Sequence, residues 1–254
     1  MASQDQTIVL ITGANGGIGF ELASQLLASA SYLVLLGSRS LEKGEAAVQD
    51  LRSRNLPGKV ELVQIDVNDV ESIEKAAEGV KEKFGRIDAL VNNAAIAGTI
   101  PEPPSPSDLY TVLTSSFLTN ATGPAVTTLA FEPLLSASTA ATPRIVNVTS
   151  GAGSIKMRLD SSNPHQKMKV VPYRASKTAL NMVTACQAYE YGERGWVCVA
   201  FCPGFTASGL SDMNKEEHGA KPTSEGAKPI VDILEGKRDA EHGGYLNATG
   251  QYPW

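Results

Sequence analysis

The chain has 254 residues, 42% of them hydrophobic, enough to bury the core of one α/β domain, which is the expected organisation over residues 1–254. A formal charge of −5 and a pI near 5.3 argue against a nucleic-acid partner, which calls for a basic face. No basic segment precedes an apolar stretch at the N-terminus and no apolar run approaches the roughly 18 residues that span a bilayer, so a cytoplasmic protein without membrane partners is expected.

The stretch Thr7 to Leu27, with a short tail 1–6 before it, combines a buried strand, a glycine turn and an amphipathic helix. Ile8, Val9, Leu10 and Ile11 form a continuous apolar run, as in a parallel strand covered on both faces. Gly13, Gly16, Gly17 and Gly19 permit tight backbone, and Ile18, Leu22 and Leu26 recur at helical spacing. The helix N-terminus therefore faces the turn, where its unpaired N–H groups suit a pyrophosphate; a tight turn that binds nothing is the plainer alternative. The T-G-x-x-x-G-I-G pattern of Thr12 to Gly19 resembles the short-chain dehydrogenase/reductase family. That resemblance implies a Rossmann-type doubly wound α/β sheet of about seven parallel strands with helices on both faces. It also implies cofactor contacts at Gly13, Asn15, Gly17, Ile18 and Gly19.

A second strand, Tyr32 to Leu36, runs into Gly37-Ser38-Arg39-Ser40 and a helix from about Leu41 to Arg54. An acid at the end of this strand would hold a ribose 2′-hydroxyl; none is present. Ser38 and Arg39 instead offer donors to a 2′-phosphate, which points to NADP(H), although a solvated loop arginine is the simpler reading of Arg39. Val60 to Ile65 is the third strand, and a helix follows from Val70 to Phe84 with Asp69 placed to cap it. In the resembled family the acid after this strand meets the adenine, a role that would fall to Asp66 with Val67 beside it.

Ile87 to Val91 leads into Asn92-Asn93-Ala94-Ala95, where small residues admit a cofactor ribose near Asn93; Ala95 stands where the family has glycine. The prolines between Ala97 and Asp108 predict a surface loop. From Asp108 to about Leu135 the pattern is helical, with a kink or break expected across Asn120 to Pro124 that frees carbonyls. By resemblance, Asn120 continues a proton relay through a held water.

Arg144 to Thr149 is the fifth strand and delivers Ser150 to its carboxyl end, where such sheets place ligands. Tyr173 and Lys177 lie one turn apart on the next helix, so an ammonium near the phenol is expected to lower its pKa toward neutrality. Each motif alone has a bland reading as turn or helix surface; their order is what resembles the family over Thr7 to Trp254. The resemblance implies a catalytic set of Ser150, Tyr173, Lys177 and Asn120, with Tyr173 and Lys177 also touching cofactor.

Twenty-two residues, 151–172, separate Ser150 from Tyr173, more than in the shorter family members, and this stretch is similar to the insertion of carbonyl reductases. Its Lys156, Arg158, Lys167 and Lys169 suit a solvated flap, a substrate cover or a block to subunit association. Trp196 to Phe201 is the sixth strand, and the following Pro203, Gly204, Thr206 and Ser208 match the family's nicotinamide-contacting turn. Phe205 to Pro222, polar and irregular from Gly209, is expected to be a substrate lid. A last helix from Ser224, its candidate cap, to Leu234 and a last strand, Gly244 to Ala248, complete the chain.

Three cysteines, Cys186, Cys198 and Cys202, without C-x-x-C spacing read as reduced apolar residues, and no metal site is legible. The reading these features imply is an NADPH-dependent reductase of a ketone or aldehyde, a small-molecule carbonyl substrate being its partner. Oxidation of an alcohol with NADP, or cofactor binding without turnover, are the alternatives, and monomer and homo-oligomer remain equally open.

Overall fold

The computed structural model describes residues 6–162 and 170–254. Seven strands form one sheet in the order β3-β2-β1-β4-β5-β6-β7, every neighbouring pair parallel. They are β1 (Thr7–Ile11), β2 (Tyr32–Ser38), β3 (Lys59–Gln64), β4 (Ala89–Asn92), β5 (Arg144–Val148), β6 (Val197–Phe201) and β7 (Tyr245–Leu246). The order reverses between β1 and β4, which opens a crevice at their carboxyl ends.

The apolar runs divide by residue parity, as a pleated strand requires. Val9, Ile11, Val34, Leu36, Val91, Val146 and Val199 pack on one face against α1 (Gly17–Leu27), α2 (Leu41–Ser53) and α8 (Thr223–Leu234). Ile8, Leu10, Leu33, Leu35, Leu90 and Ile145 pack on the other against α3 (Val70–Phe84), α5 (Gly123–Ser136) and α7 (Val171–Gly192). The fold is thus the doubly wound α/β architecture expected from the sequence.

Local chemistry sets the helix ends. Ser40 caps α2 by accepting from Lys43 N at 3.3 Å, and Asp69 caps α3 by accepting from Glu71 N at 3.1 Å. Ser105 and Asp108 form a capping box on α4 (Pro106–Phe117), so the proline-rich loop ends two residues earlier than expected, with Pro106 at a first-turn position that needs no N–H. Ser224 does not cap α8: Pro222 holds that place and Thr223 is already helical.

The expected break across Asn120 to Pro124 is a π-helical turn, Leu118–Thr122, which joins α4 to α5. An α-helix would pair the Asn120 carbonyl with the N–H of residue 124, and proline has none. The wider turn, with Gly123 N–H donating to the Leu118 carbonyl, absorbs that mismatch without breaking the helix.

After Ser150 the chain makes a 3-10 turn, Gly151–Gly153, and a short helix α6 (Ile155–Leu159). Lys167 and Lys169 of the basic stretch lie outside the described residues. Among the described residues no helix is long and apolar enough to cross a membrane.

Candidate active site

The glycine turn is locked from β4. Thr12 Oγ1 accepts the N–H groups of Asn93 and Ala94 at 3.0 and 3.1 Å, and Asn93 Nδ2 donates to the Thr12 and Gly13 carbonyls at 2.9 and 3.1 Å. Gly13 and Gly17 have φ of +63° and +56°, backbone that side chains rarely adopt. A Cβ at Gly19 would stand 2.5 Å from Asn93 Nδ2, so the third glycine is required by packing. Unlike α2, α3 and α4, α1 has no side-chain cap and no acid in its first turn. Its positive end is left for an anion, so the turn Gly13-Ala14-Asn15-Gly16-Gly17-Ile18-Gly19 suits a pyrophosphate.

Flanking this cradle, Ser38 ends β2 buried, its hydroxyl donating to the Ser40 carbonyl at 2.8 Å. Arg39 has a 73% exposed side chain held loosely to Asp66, 3.8 Å away. Asp66 also accepts from Asn68 N at 3.0 Å, and a Cβ at Gly123 would meet the Val67 carbonyl at 2.6 Å, so α5 begins directly against the Asp66–Val67 turn.

On the other side of the crevice, Ser150 follows β5 and its Oγ accepts from Ala152 N at 3.2 Å. The Ser150 side chain also faces the Tyr173 phenol, near enough to act on its pKa. Lys177 is 2% exposed, and its Nζ donates to the Val148 carbonyl at 2.8 Å while lying 5.8 Å from the centre of the Tyr173 ring.

The expected lowering of the Tyr173 pKa is reversed. Burial pushes the phenol up to about 12, against the Ser150 side chain, which lowers it. Burial likewise pulls Lys177 down to about 8. Desolvation dominates, while the Lys177 ammonium is turned to a backbone carbonyl.

Asn120, 0% exposed, uses its whole side chain on neighbours. Oδ1 accepts from Ile96 N at 2.9 Å, and Nδ2 donates to the Ile96 carbonyl and Ser176 Oγ at 2.9 and 3.0 Å. Ser176 in turn donates to the Tyr173 carbonyl at 2.9 Å, linking the π turn to the helix that carries the phenol.

After β6, Thr206 Oγ1 donates to the Pro203 carbonyl at 3.1 Å, and Gly204 has φ of +79°. Ser208 lies against the glycine turn, its Cβ 3.3 Å from where a Cβ on Gly17 would stand. The segment Phe205 to Pro222 is more ordered than its composition suggested. Thr206 bridges to Lys221, Ala207 N–H donates to the Lys221 carbonyl at 2.9 Å, and Asn214 Nδ2 donates to the Thr206 carbonyl at 3.1 Å. A single asparagine in a polar loop carries no sequence signal for such a role.

All three cysteines are free, and Cys198 packs in the apolar core as expected, whereas Cys186 and Cys202 depart from the apolar reading. Cys186 is exposed, Cys198 is buried in β6, and Cys202 lies buried past its end, its sulfur accepting the N–H of Gly151 at 3.0 Å and of Gly204 at 3.4 Å. Among the described residues no cluster of His, Cys, Asp and Glu could hold a metal ion.

The glycine turn and Ser150 thus follow the carboxyl ends of strands in one parallel sheet, with Lys177 donating to the carbonyl at the end of β5, the arrangement of a dinucleotide-binding α/β protein. The short chain dehydrogenase family matches residues 7–219, and the chain belongs to that family of oxidoreductases. It is 39% identical over 233 residues to the short-chain dehydrogenase anuI of Penicillium roqueforti, covering 91% of this chain and 89% of that one. Among solved structures it is similar to the NADPH-bound carbonyl reductase from chicken fatty liver, with a TM-score of 0.79 and 27% identity over 98% and 99% of the two chains. An actinorhodin polyketide ketoreductase with NADPH matches with a TM-score of 0.79 and 25% identity over 98% of each chain.

Proposed function

We propose that this chain is an NADP(H)-dependent reductase that converts a ketone or aldehyde to an alcohol. The observation that carries the reading is the Tyr173–Ser150 hydroxyl pair, its phenol kept protonated by burial, at the crevice mouth beside Lys177. A phenol pushed up to about 12 is a proton donor throughout the neutral range, the state that carbonyl reduction requires.

Bound NADPH supplies the hydride. The uncapped start of α1, with Gly13, Asn15, Gly17, Ile18 and Gly19, would hold the pyrophosphate, and Arg39 the 2′-phosphate, the Ser38 hydroxyl being buried and committed to the Ser40 carbonyl. Asp66 and Val67 flank the adenine, Asn93 the adjoining ribose, and Pro203, Gly204, Thr206 and Ser208 the nicotinamide end. Ser150 donates to the carbonyl oxygen and stabilises its growing charge. Tyr173 gives that oxygen its proton. Lys177 orients the ribose and returns a proton toward the phenol. Because the Asn120 side chain is fully engaged, its part in the relay falls to its backbone carbonyl, which lacks its α-helical donor.

The test is NADPH oxidation by the purified protein across diketones, quinones, aromatic ketones and aldehydes, with NADH and Tyr173→Phe in parallel. NADPH-selective turnover that disappears in Tyr173→Phe supports the reading. Turnover that survives removal of the phenol overturns it.

A further inference from the structure

Ser150 has to hold one position against both Tyr173 and the incoming carbonyl, yet it stands at the start of a loop of small residues, Gly151-Ala152-Gly153. The loop's own 3-10 turn holds it in part, Gly153 N–H donating to the Ser150 carbonyl at 2.8 Å, and the rest of its support comes from other elements. Tyr245, on the short last strand β7 and 0% exposed, donates its hydroxyl to the Ser150 carbonyl. The Cys202 sulfur accepts from Gly151 N at 3.0 Å. Asn181 is one turn beyond Lys177 on α7; it accepts the Thr149 hydroxyl at 2.7 Å and donates to the Gly153 carbonyl at 3.3 Å.

The ring of Tyr245 is itself clamped. Trp254 stacks on it at 5.1 Å between centres and Tyr252 meets it edge-on at 5.5 Å. The same terminal residues grip the loop: Ser154 Oγ donates to the Pro253 carbonyl at 2.6 Å, and Lys156 N–H to the Trp254 carbonyl at 3.3 Å. Tyr245, Tyr252 and Trp254 all lie beyond residues 7–219 matched by the family.

We propose that Tyr245 is a positioning residue for catalysis. Its hydroxyl on the Ser150 carbonyl, with the Cys202 sulfur on the next N–H, sets the Ser150 hydroxyl against Tyr173. This rests on the reductase reading above, and it adds a functional role for a residue that touches neither substrate nor cofactor.

The experiment is a double-mutant cycle of Tyr245→Phe and Ser150→Ala, read as kcat for NADPH-dependent reduction together with NADPH affinity by fluorescence titration and Tm. Tyr245→Phe keeps the aromatic stack and loses only the donor. We expect a fall in kcat of about tenfold with unchanged NADPH affinity, and no further fall when the change is made in Ser150→Ala. An equal fractional loss in both backgrounds, or an unchanged kcat, overturns the proposal. Cys202→Ala removes the other support and should show the same dependence on Ser150, which keeps the test open if Tyr245→Phe does not fold. Tyr191→Phe deletes another inward phenol, one directed at Glu132 away from the loop, and should leave kcat unchanged; a matching loss there also counts against the proposal. Should Tyr173→Phe retain turnover, it is the reductase reading that fails. If Tyr173→Phe is inactive while Tyr245→Phe is wild-type, only the positioning role falls.

Discussion

Asn93 Nδ2 reaches from the end of β4 to the Thr12 and Gly13 carbonyls at 2.9 and 3.1 Å, tying together the two strands between which the sheet reverses its order. The cofactor cradle is therefore held by a side chain from across the crevice, and the glycine turn alone does not maintain it. Gly19→Ala would place a methyl 2.5 Å from that same nitrogen. We expect this change to weaken NADPH binding by about tenfold, the consequence of losing one to two hydrogen bonds that fix the turn, with a lower Tm. Fluorescence titration with NADPH checks it, and an unaltered affinity would show that the turn keeps its shape without Asn93.

Arg39 is the proposed 2′-phosphate contact, and its exposed guanidinium has only a loose tie to Asp66. Arg39→Ala should raise the dissociation constant for NADPH by about tenfold, as loss of one charge-assisted phosphate contact predicts, and leave that for NADH nearly unchanged. The gap between the two cofactors should narrow further as salt is added to the wild-type protein. Equal losses for both cofactors would remove Arg39 from this role.

The pH dependence follows from two burial effects of opposite sign. The proposed reduction needs Tyr173 protonated and Lys177 charged. Tyr173, pushed up to about 12, stays protonated, whereas Lys177, pulled down to about 8, loses its charge first. Reductive kcat/KM of the free enzyme should therefore be level on the acid side of Lys177 and fall by roughly tenfold per pH unit above it. A rate that stays level well past that point would show that the lysine charge is not required.

Stability has a separate anchor at the opposite end of the sheet. Asp88 is buried, accepts the Ile8 N–H at 2.7 Å and the Ser138 hydroxyl at 2.6 Å, and pairs with Arg86 at 3.3 Å. Asp88→Ala leaves a buried N–H and a largely buried guanidinium without their acceptor, and should lower unfolding stability by about 3 kcal/mol. Urea denaturation measures it, and NADPH affinity under native conditions should be unchanged because the cradle lies at the other end of the strands.

Much of this was legible from local pattern. The apolar runs of β1, β2 and β5 and the bounds of α3 follow from periodicity and capping, because continuous burial and a side chain on the first free N–H are local requirements. The order of the glycine turn, Ser150, Tyr173 and Lys177 along the chain was enough to place them at the carboxyl ends of strands or the start of a helix.

What only the tertiary structure decided are the consequences of distance and burial. Spacing of four residues brings Lys177 near Tyr173, but the phenol pKa moves up because packing removes water, and no sequence pattern encodes how much water is left. Asn, Gly and Pro together announce a disturbed helix; whether it breaks or widens into a π turn depends on α5 docking against the Val67 carbonyl. Beyond its own turn, the loop of Ser150 is held by Cys202, 52 positions from that serine, and by Tyr245, 95 positions from it. A cysteine in a strand end and a tyrosine in a two-residue strand look like ordinary core, and they become partners of a backbone only when the sheet sets β5, β6 and β7 side by side. The sequence by itself determined the sheet and the glycine turn and supplied the proposed reacting groups, since each is a short-range pattern. Folding decided their protonation and alignment, since those depend on neighbours that chain order does not put together.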